Sequence, residues 1–360
     1  MANHSDTPDY IIGHDQKQFA KLAELKKVLP AYTHSFLEEK AGTNISTAVS
    51  YAQDMLLFFR YLQSNNPILS DTKTSDIPLD VLDSLSYKDI NEYQMYMSIN
   101  TENEYANTKG GLARKTATLS SFFHWMVTHE EMMNEPTAGA KRYSKKKDEH
   151  EIIRLTPEEV TRLLDAVKNS RIGKEHQQSM LQHTQKRDYA ILTLLLHTGI
   201  RVSECVALDL DDVIFQENAL KVFRKGKKKQ TLYFDKQTEE ALKDYIETER
   251  KEYIGNDEQA LFLSSQKNRM AVRSIQHMVK KYAKAILPHK KFSAHKCRST
   301  YGSRLYNQTG DIKLTADVLG HSDVTTTSKY YAASEEEHRR AAARVQLYET
   351  TLVENKNEGE

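Results

Sequence analysis

The chain has 360 residues, with 51 Lys+Arg against 50 Asp+Glu, 39% hydrophobic residues and only two cysteines. That length allows two or three domains. The near-zero net charge excludes a uniformly basic protein but says nothing about where the charge sits. Two cysteines, Cys205 and Cys297, exclude a disulfide framework and fit a reducing compartment. The start "MANHSDTPDYIIGHDQ" lacks the basic and apolar regions of a signal peptide, and no apolar run approaches the roughly 20 residues that span a bilayer. A soluble, cytoplasmic protein with no membrane partner is therefore expected.

In chain order, the first elements read as helices. "ISTAVSYAQDMLLFFRYLQ" places Ala48, Ala52, Met55, Phe59 and Leu62 on one stripe. "ARKTATLSSFFHWMVTH" does the same with Leu119, Phe123 and Met126, and "SDIPLDVLDSL" and "SYKDINEYQMYM" are shorter helices between them. Four or five helices form a domain over 1–135. "EPTAGAKRYSKKKDEHE" breaks the pattern with Pro, Gly and charge, and is the linker, 136–152. "LTPEEVTRLLDAV" restarts with Thr156 as cap, Pro157 at the first helical position and Glu159 closing a capping box. "NSRIGKEHQQSMLQHTQ" reads as a polar loop, and "KRDYAILTLLLHTG" as a buried helix.

The β signal comes next. "ALKVFR" and "QTLYF" alternate across "KGKKK", with Gly226 at the turn, and "DDVIF" supplies a third strand. Helices then return in "TEEALKDYIETERKEY", "AVRSIQHMVKKYAKAI", "SAHKCRSTYGSRLYNQ" and "LGHSDVTTTSKYYAA". "EEEHRRAAARVQLYETTL" is a terminal amphipathic helix with Ala342, Val345 and Leu352 near one face.

Charge is segregated into three basic runs, "KRYSKKK" (141–147), "KVFRKGKKK" (221–229) and "VKKYAKAILPHKK" (279–291). One run is ordinarily a solvated face; three favour a basic groove for nucleic acid. Strong polar residues recur beside helix starts and turns. In "HTGIRVSE", Arg201 stands at a helix start and Glu204 can face back to its guanidinium. An arginine fixed by a carboxylate suits two phosphate oxygens; the bland alternative is a surface arginine. In "RKGKKKQ", Lys225 sits at the hairpin tip, either a soluble turn or a mobile ammonium that donates a proton. Lys227, Lys228 and Lys229 would then hold backbone phosphates. In "SAHKCRST", His295 and Arg298 lie three apart, and one His with one nearby Cys lacks the ligand count of zinc. In "LGHSDVTTTSKYY", His321 precedes Tyr330 by nine residues. Two arginines, a lysine and two histidines suit a pentacoordinate phosphate, and a tyrosine suits its nucleophile. No clustered carboxylates are present to hold magnesium, so the cations come from side chains and no cofactor is expected.

These four motifs, in this order and spacing, resemble those of the tyrosine recombinases, or phage integrase family. The N-terminal half also resembles that family's core-binding domain, with Arg114 and Lys115 of "ARKTATLSSFFHWM" facing DNA. "LKKVLPAYTHSFLEEK" and "DIPLDVLDSLSYKDI" are similar to the XerS subfamily of Xer recombinases. The resemblance implies a mainly α fold with a small antiparallel sheet. It implies a two-domain C-shaped DNA clamp: a helical, SAM-like core-binding domain (1–135), a basic linker (136–152), an α+β catalytic domain (153–334) and a trans-docking helix with an acidic tail (335–360). It also implies that Tyr330, rather than Tyr331, attacks the scissile phosphate and makes a 3′-phosphotyrosyl link. Arg201, Arg298 and His321 would stabilise the transition state, Lys225 would protonate the leaving 5′-oxygen, and His295 would assist proton transfer. Expected partners are an inverted-repeat duplex site, three further protomers in a homotetramer on two sites, and the FtsK translocase. The expected role is chromosome dimer resolution at a dif-like site, the alternative being integration or excision of a mobile element. A type IB topoisomerase and a silent DNA-binding protein are the competing functions. Cys297 and Ser299 depart from the family's His-x-Leu-Arg-His box, and Cys297 beside a cationic site predicts sensitivity to thiol reagents.

Overall fold

A computed structural model describes residues 8–99, 109–142, 154–169, 182–224, 228–255 and 257–320. The chain divides into two compact units, Met1–Glu149 and His150–Glu360.

The first unit is helical: α1 (Asp9–Val28), α2 (His34–Thr43), α3 (Ile45–Asn65), α4 (Leu79–Asp83), α5 (Tyr87–Ile99) and α6 (Lys109–Thr128). Among the described residues these are six helices rather than four or five. Two come from the N-terminal segment, where α1 buries only Leu22 and so carries no apolar stripe to read. Asn44 caps α3, its side chain accepting from the Thr47 amide at 2.9 Å. The stripes expected on α3 and α6 are all buried. They meet in an aromatic core in which Phe36 and Phe122 rings lie 5.4 Å apart and Phe58 and Tyr93 rings 5.0 Å apart, both edge to face. Packing continues past α6, since Met132 and Ala140 belong to the same core.

The second unit is built on α8 (Gln185–Thr198), around which α7 (Pro157–Lys168), α10 (Lys236–Glu247) and α13 (Ala294–Thr309) pack. Every residue from Ala190 to Leu196 on α8 is buried, which explains its continuous apolar run. The capping box on α7 forms as expected: the Glu159 amide donates to Thr156 Oγ1 at 3.3 Å, and the Thr156 amide to Glu159 Oε2 at 2.9 Å. Among the described residues the remaining helices are α9 (Val202–Ala207), α11 (Glu249–Glu252), α12 (Val272–Ile286) and α14 (Ile312–Leu319). The helix expected over Thr238–Tyr253 breaks at Thr248, which leaves helical geometry at φ −120°, ψ −91°. Helix α14 was not expected, though its ends are marked: Asp311 accepts from the Lys313 and Leu314 amides, and Gly320 takes the left-handed C-cap.

The sheet has three antiparallel strands in the order β1 (Val213–Ile214), β2 (Ala219–Arg224), β3 (Lys228–Tyr233). Register runs from Ala219 opposite Tyr233 to Arg224 opposite Lys228. The fold is thus mainly α with a small antiparallel sheet, as expected. Among the described residues, no helix is long and apolar enough to cross a membrane.

Candidate active site

The chain leaves α8 through Gly199, in left-handed conformation at φ 64°. Glycine is doubly required there, because a Cβ would stand 2.5 Å from the Tyr301 ring. The turn delivers Arg201 to the N-cap of α9. Glu204, one turn on and buried, reaches back twice: Oε2 accepts from the Arg201 amide at 3.0 Å and Oε1 from Nη1 at 2.7 Å. This is the carboxylate-fixed arginine read from "HTGIRVSE". Its side chain stays 36% exposed, so the guanidinium retains a face toward solvent.

Arg298 is carried by α13 and is 2% exposed. Its Nη1 donates to the Gly199 carbonyl at 2.6 Å, and its Nη2 donates to the Leu319 carbonyl. Arg201 Nη2 donates to the next carbonyl, Gly320, at 3.3 Å. Two further side chains join them. Arg224, the last residue of β2, donates to the Val318 carbonyl at 2.9 Å, and Gln230 on β3 donates to that of Asp317 at 2.9 Å. Four consecutive carbonyls at the end of α14 therefore each receive a different side-chain donor, three of them guanidinium groups. A helix end leaves its last carbonyls without intrahelical partners and carries partial negative charge, so cations are favoured there. Arg224 and Gln230 were not singled out from the sequence, and "KVFRKG" marked its lysine instead.

Electrostatically the centre is cationic. Two of the three arginines flank one buried carboxylate, Glu204, whose Oε1 lies 2.7 Å from Arg201 Nη1 and 3.8 Å from Arg224 Nε. Burial pulls the Arg224 guanidinium below its usual value, and Glu204 partly offsets this. Such a centre can hold and polarise a phosphodiester. Among the described residues, no cluster of three His, Cys, Asp or Glu side chains is arranged to hold a metal ion.

The other expected residues are distributed differently. His295 lies on the first turn of α13, exposed, one turn before Arg298. Lys229 is exposed on β3, its ammonium 5.6 Å from the Phe223 ring. Lys228 belongs to β3 by its backbone. Lys225, Lys227, His321 and Tyr330 lie outside the described residues, as do Gly226 and the terminal helix. Arg114 and Lys115 are on α6 of the first unit. Arg114 grips the buried Asp54 with both terminal nitrogens, Nη2 at 2.7 Å, while Thr118 Oγ1 donates to the same carboxylate at 2.9 Å. In the third basic run, Lys280, Lys281 and Lys284 are exposed on α12, but Lys290 is held internally, 2.7 Å from Glu159.

The expectation for Cys297 is corrected. Its thiol is fully buried, and burial pushes it up to about 12. A buried thiol with so little thiolate is inert, whatever cations lie beyond its shell.

Fold and centre together define a domain with a cationic, phosphodiester-handling centre, joined in the chain to a helical one. The profile of the phage integrase family matches residues 153–338. Tyrosine recombinase XerC of Caldanaerobacter subterraneus subsp. tengcongensis is 33% identical over 325 residues, covering 88% of this chain and 86% of that enzyme. Tyrosine recombinase XerS of Streptococcus uberis is 29% identical over 329 residues, covering 84% and 91%. Among solved structures, XerH site-specific recombinase bound to a palindromic difH substrate aligns with a TM-score of 0.62 at 16% identity, covering 86% of this chain and 83% of that one; this supports the fold. The chain belongs to the phage integrase family and is a tyrosine recombinase of Xer type, an enzyme that breaks and rejoins DNA.

Proposed function

We propose that this enzyme resolves chromosome dimers in the cytoplasm by recombination at a dif-like inverted-repeat site. The observation that carries the chemical part is the meeting of Arg201 and Arg298 on consecutive carbonyls, Gly320 and Leu319, at the end of α14. The next residue in the chain is His321, and Tyr330 follows nine residues later. In this reading the two arginines and His321 hold the non-bridging oxygens of the scissile phosphate. Tyr330 Oη attacks phosphorus, and His295 assists in taking its proton. Lys225 protonates the departing 5′-oxygen. The phosphodiester energy is kept in the tyrosyl bond, so the 5′-hydroxyl of a second strand can reverse the step and exchange strands. The cations that the chemistry needs are side chains of this chain.

The Xer names of relatives that match most of this chain support the dif-type role, as does the match to both XerC and XerS. In this reading, Arg114, Lys115 and Lys227–Lys229 contact backbone phosphates. Arg114 would be presented by Asp54 rather than swinging freely. Four protomers assemble on two sites, with residues 335–352 docking on a neighbour, and the FtsK translocase activates them.

The test is a duplex of candidate dif-like sequence nicked near the cleavage position, incubated with the wild type, Tyr330→Phe and Tyr331→Phe. Covalent protein–DNA adduct on a denaturing gel is expected from the wild type and Tyr331→Phe only. Adduct from Tyr330→Phe would overturn the nucleophile. Adduct formed equally on unrelated duplexes would overturn the site-specific role.

A further inference from the structure

Arg224 has no place in the chemistry just described, yet it is among the most costly side chains of the centre to bury. Only 7% of it is exposed. Nη2 is satisfied by the Val318 carbonyl at 2.9 Å. Nε and Nη1 are buried without a hydrogen-bond partner among the described residues, Nε facing Glu204 at 3.8 Å. Nη1 lies so close over Gly320 that a Cβ there would stand 1.6 Å away. Gly320 is left-handed at φ 59°, so conformation and space both demand glycine.

A desolvated cation with two unmatched donors is a poor device for stability, because a shorter neutral donor would cap Val318 equally well. What a long, rigid guanidinium adds is mechanical. It spans from the end of β2 to the end of α14 in one planar group. Gln230 makes the parallel link from β3 to the Asp317 carbonyl. The hairpin is thereby fastened near its turn end, on both strands, to the helix end that also carries the contacts of Arg201 and Arg298. Arg224 is the residue immediately before Lys225, and Gly320 the residue immediately before His321.

We propose that Arg224 is a positioning residue for strand cleavage: by clamping the turn end of β2 to the end of α14, it sets where Lys225 stands relative to the scissile phosphate. The inference rests on the reading of Lys225 as the proton donor. Its chemistry offers a specific probe. As the bond from Tyr330 Oη to phosphorus forms, the bond from phosphorus to the 5′-oxygen breaks, and the departing alkoxide needs a proton. With sulfur in place of that bridging oxygen, the group leaves as a thiolate. A thiol has a pKa near 8.5, against roughly 16 for a hydroxyl, so protonation is no longer required.

The experiment measures single-turnover cleavage of nicked duplexes with 5′-oxygen or 5′-sulfur leaving groups. It uses full-length wild type, Arg224→Ala, Arg224→Lys and Lys225→Ala, with duplex affinity and thermal melting measured in parallel. Arg224→Ala is expected to slow the oxygen substrate by about 10²-fold, the lower range for lost general acid catalysis, with affinity within about twofold. The sulfur substrate should restore most of the rate. Arg224→Lys, which keeps a charge but not the planar fork, should show the same pattern in milder form and serves if the alanine variant does not fold. Wild-type rates on oxygen for either folded variant would overturn the proposal. Equal slowing on both substrates would also overturn it, because Arg224 would then act elsewhere. If Lys225→Ala itself is slow and unrescued by sulfur, the reading of Lys225 fails separately.

Discussion

Two glycines that end helices allow one structural argument to be checked by subtraction. Gly199 and Gly310 have nearly the same backbone, φ 64° and φ 68°, each in the left-handed region after a long helix. Alanine at either position incurs the left-handed penalty of about 1–2 kcal/mol. Their surroundings differ. A Cβ at Gly310 meets nothing within 4 Å, whereas at Gly199 it meets the Tyr301 ring at 2.5 Å and Leu319 at 3.0 Å. Leu319 is fully buried and its carbonyl accepts from Arg298, so it cannot withdraw without moving the helix end. Forcing a methyl group into such packing costs about 1–3 kcal/mol more. Gly310→Ala should therefore lose about 1–2 kcal/mol and Gly199→Ala about 2–5 kcal/mol. At roughly 2–4 °C per kcal/mol for a unit of this size, the second variant should melt several degrees below the first. Calorimetry of both full-length variants measures this. Gly199→Ala should also lose cleavage activity, because its carbonyl accepts Arg298 Nη1 and the turn carries Arg201. Equal melting of the two variants would refute the packing argument. Wild-type cleavage by Gly199→Ala would refute the claim that this turn sets the arginines.

Three further outcomes follow from buried charge. Burial lifts Glu249 from 4.5 to about 7, so the folded state holds a proton that the unfolded state releases first. Stability should be full below about pH 4.5 and fall as pH rises toward 7, by up to about 3 kcal/mol at 1.36 kcal/mol per unit; Glu249→Gln should flatten that slope in urea titrations. Arg114→Ala strands the buried Asp54 carboxylate and should cost about 2–3 kcal/mol, tempered from the fully buried case because Arg114 is half exposed; adding Asp54→Asn should recover part of it in the same assay. Cys205 and Cys297 are fully buried with thiols pushed up, so neither should be alkylated in the native protein, as mass spectrometry after iodoacetamide would read; rapid labelling would contradict their burial.

Local chemistry made much of this chain legible. The stripes of α3 and α6, the capping box of α7 and the alternation of β2 and β3 each depend on residues within a few positions of one another, and each stands in the structure where the pattern put it. Elements without such a pattern were missed. Helix α1 shows almost no apolar face, and α14 is too short for its periodicity to stand out, although Asp311 and Gly320 mark its ends. The pairing of Glu204 with Arg201 was readable because it spans three residues.

Tertiary structure alone decided what those arginines touch. The contacts from Arg298 to Gly199, Arg201 to Gly320 and Arg224 to Val318 span 99, 119 and 94 residues. No period of 2 or 3.6 encodes a contact across that distance. It also decided that Cys297, next in sequence to a site arginine, is sealed away from it, since successive helix residues point in different directions. The sequence by itself determined which residues could do phosphoryl chemistry and in what order they come. The packing of α8, α13 and the hairpin around the end of α14 determined that three guanidinium groups, not two, meet there, because only a folded chain can bring the unsatisfied carbonyls of a helix end within reach of donors from three other elements.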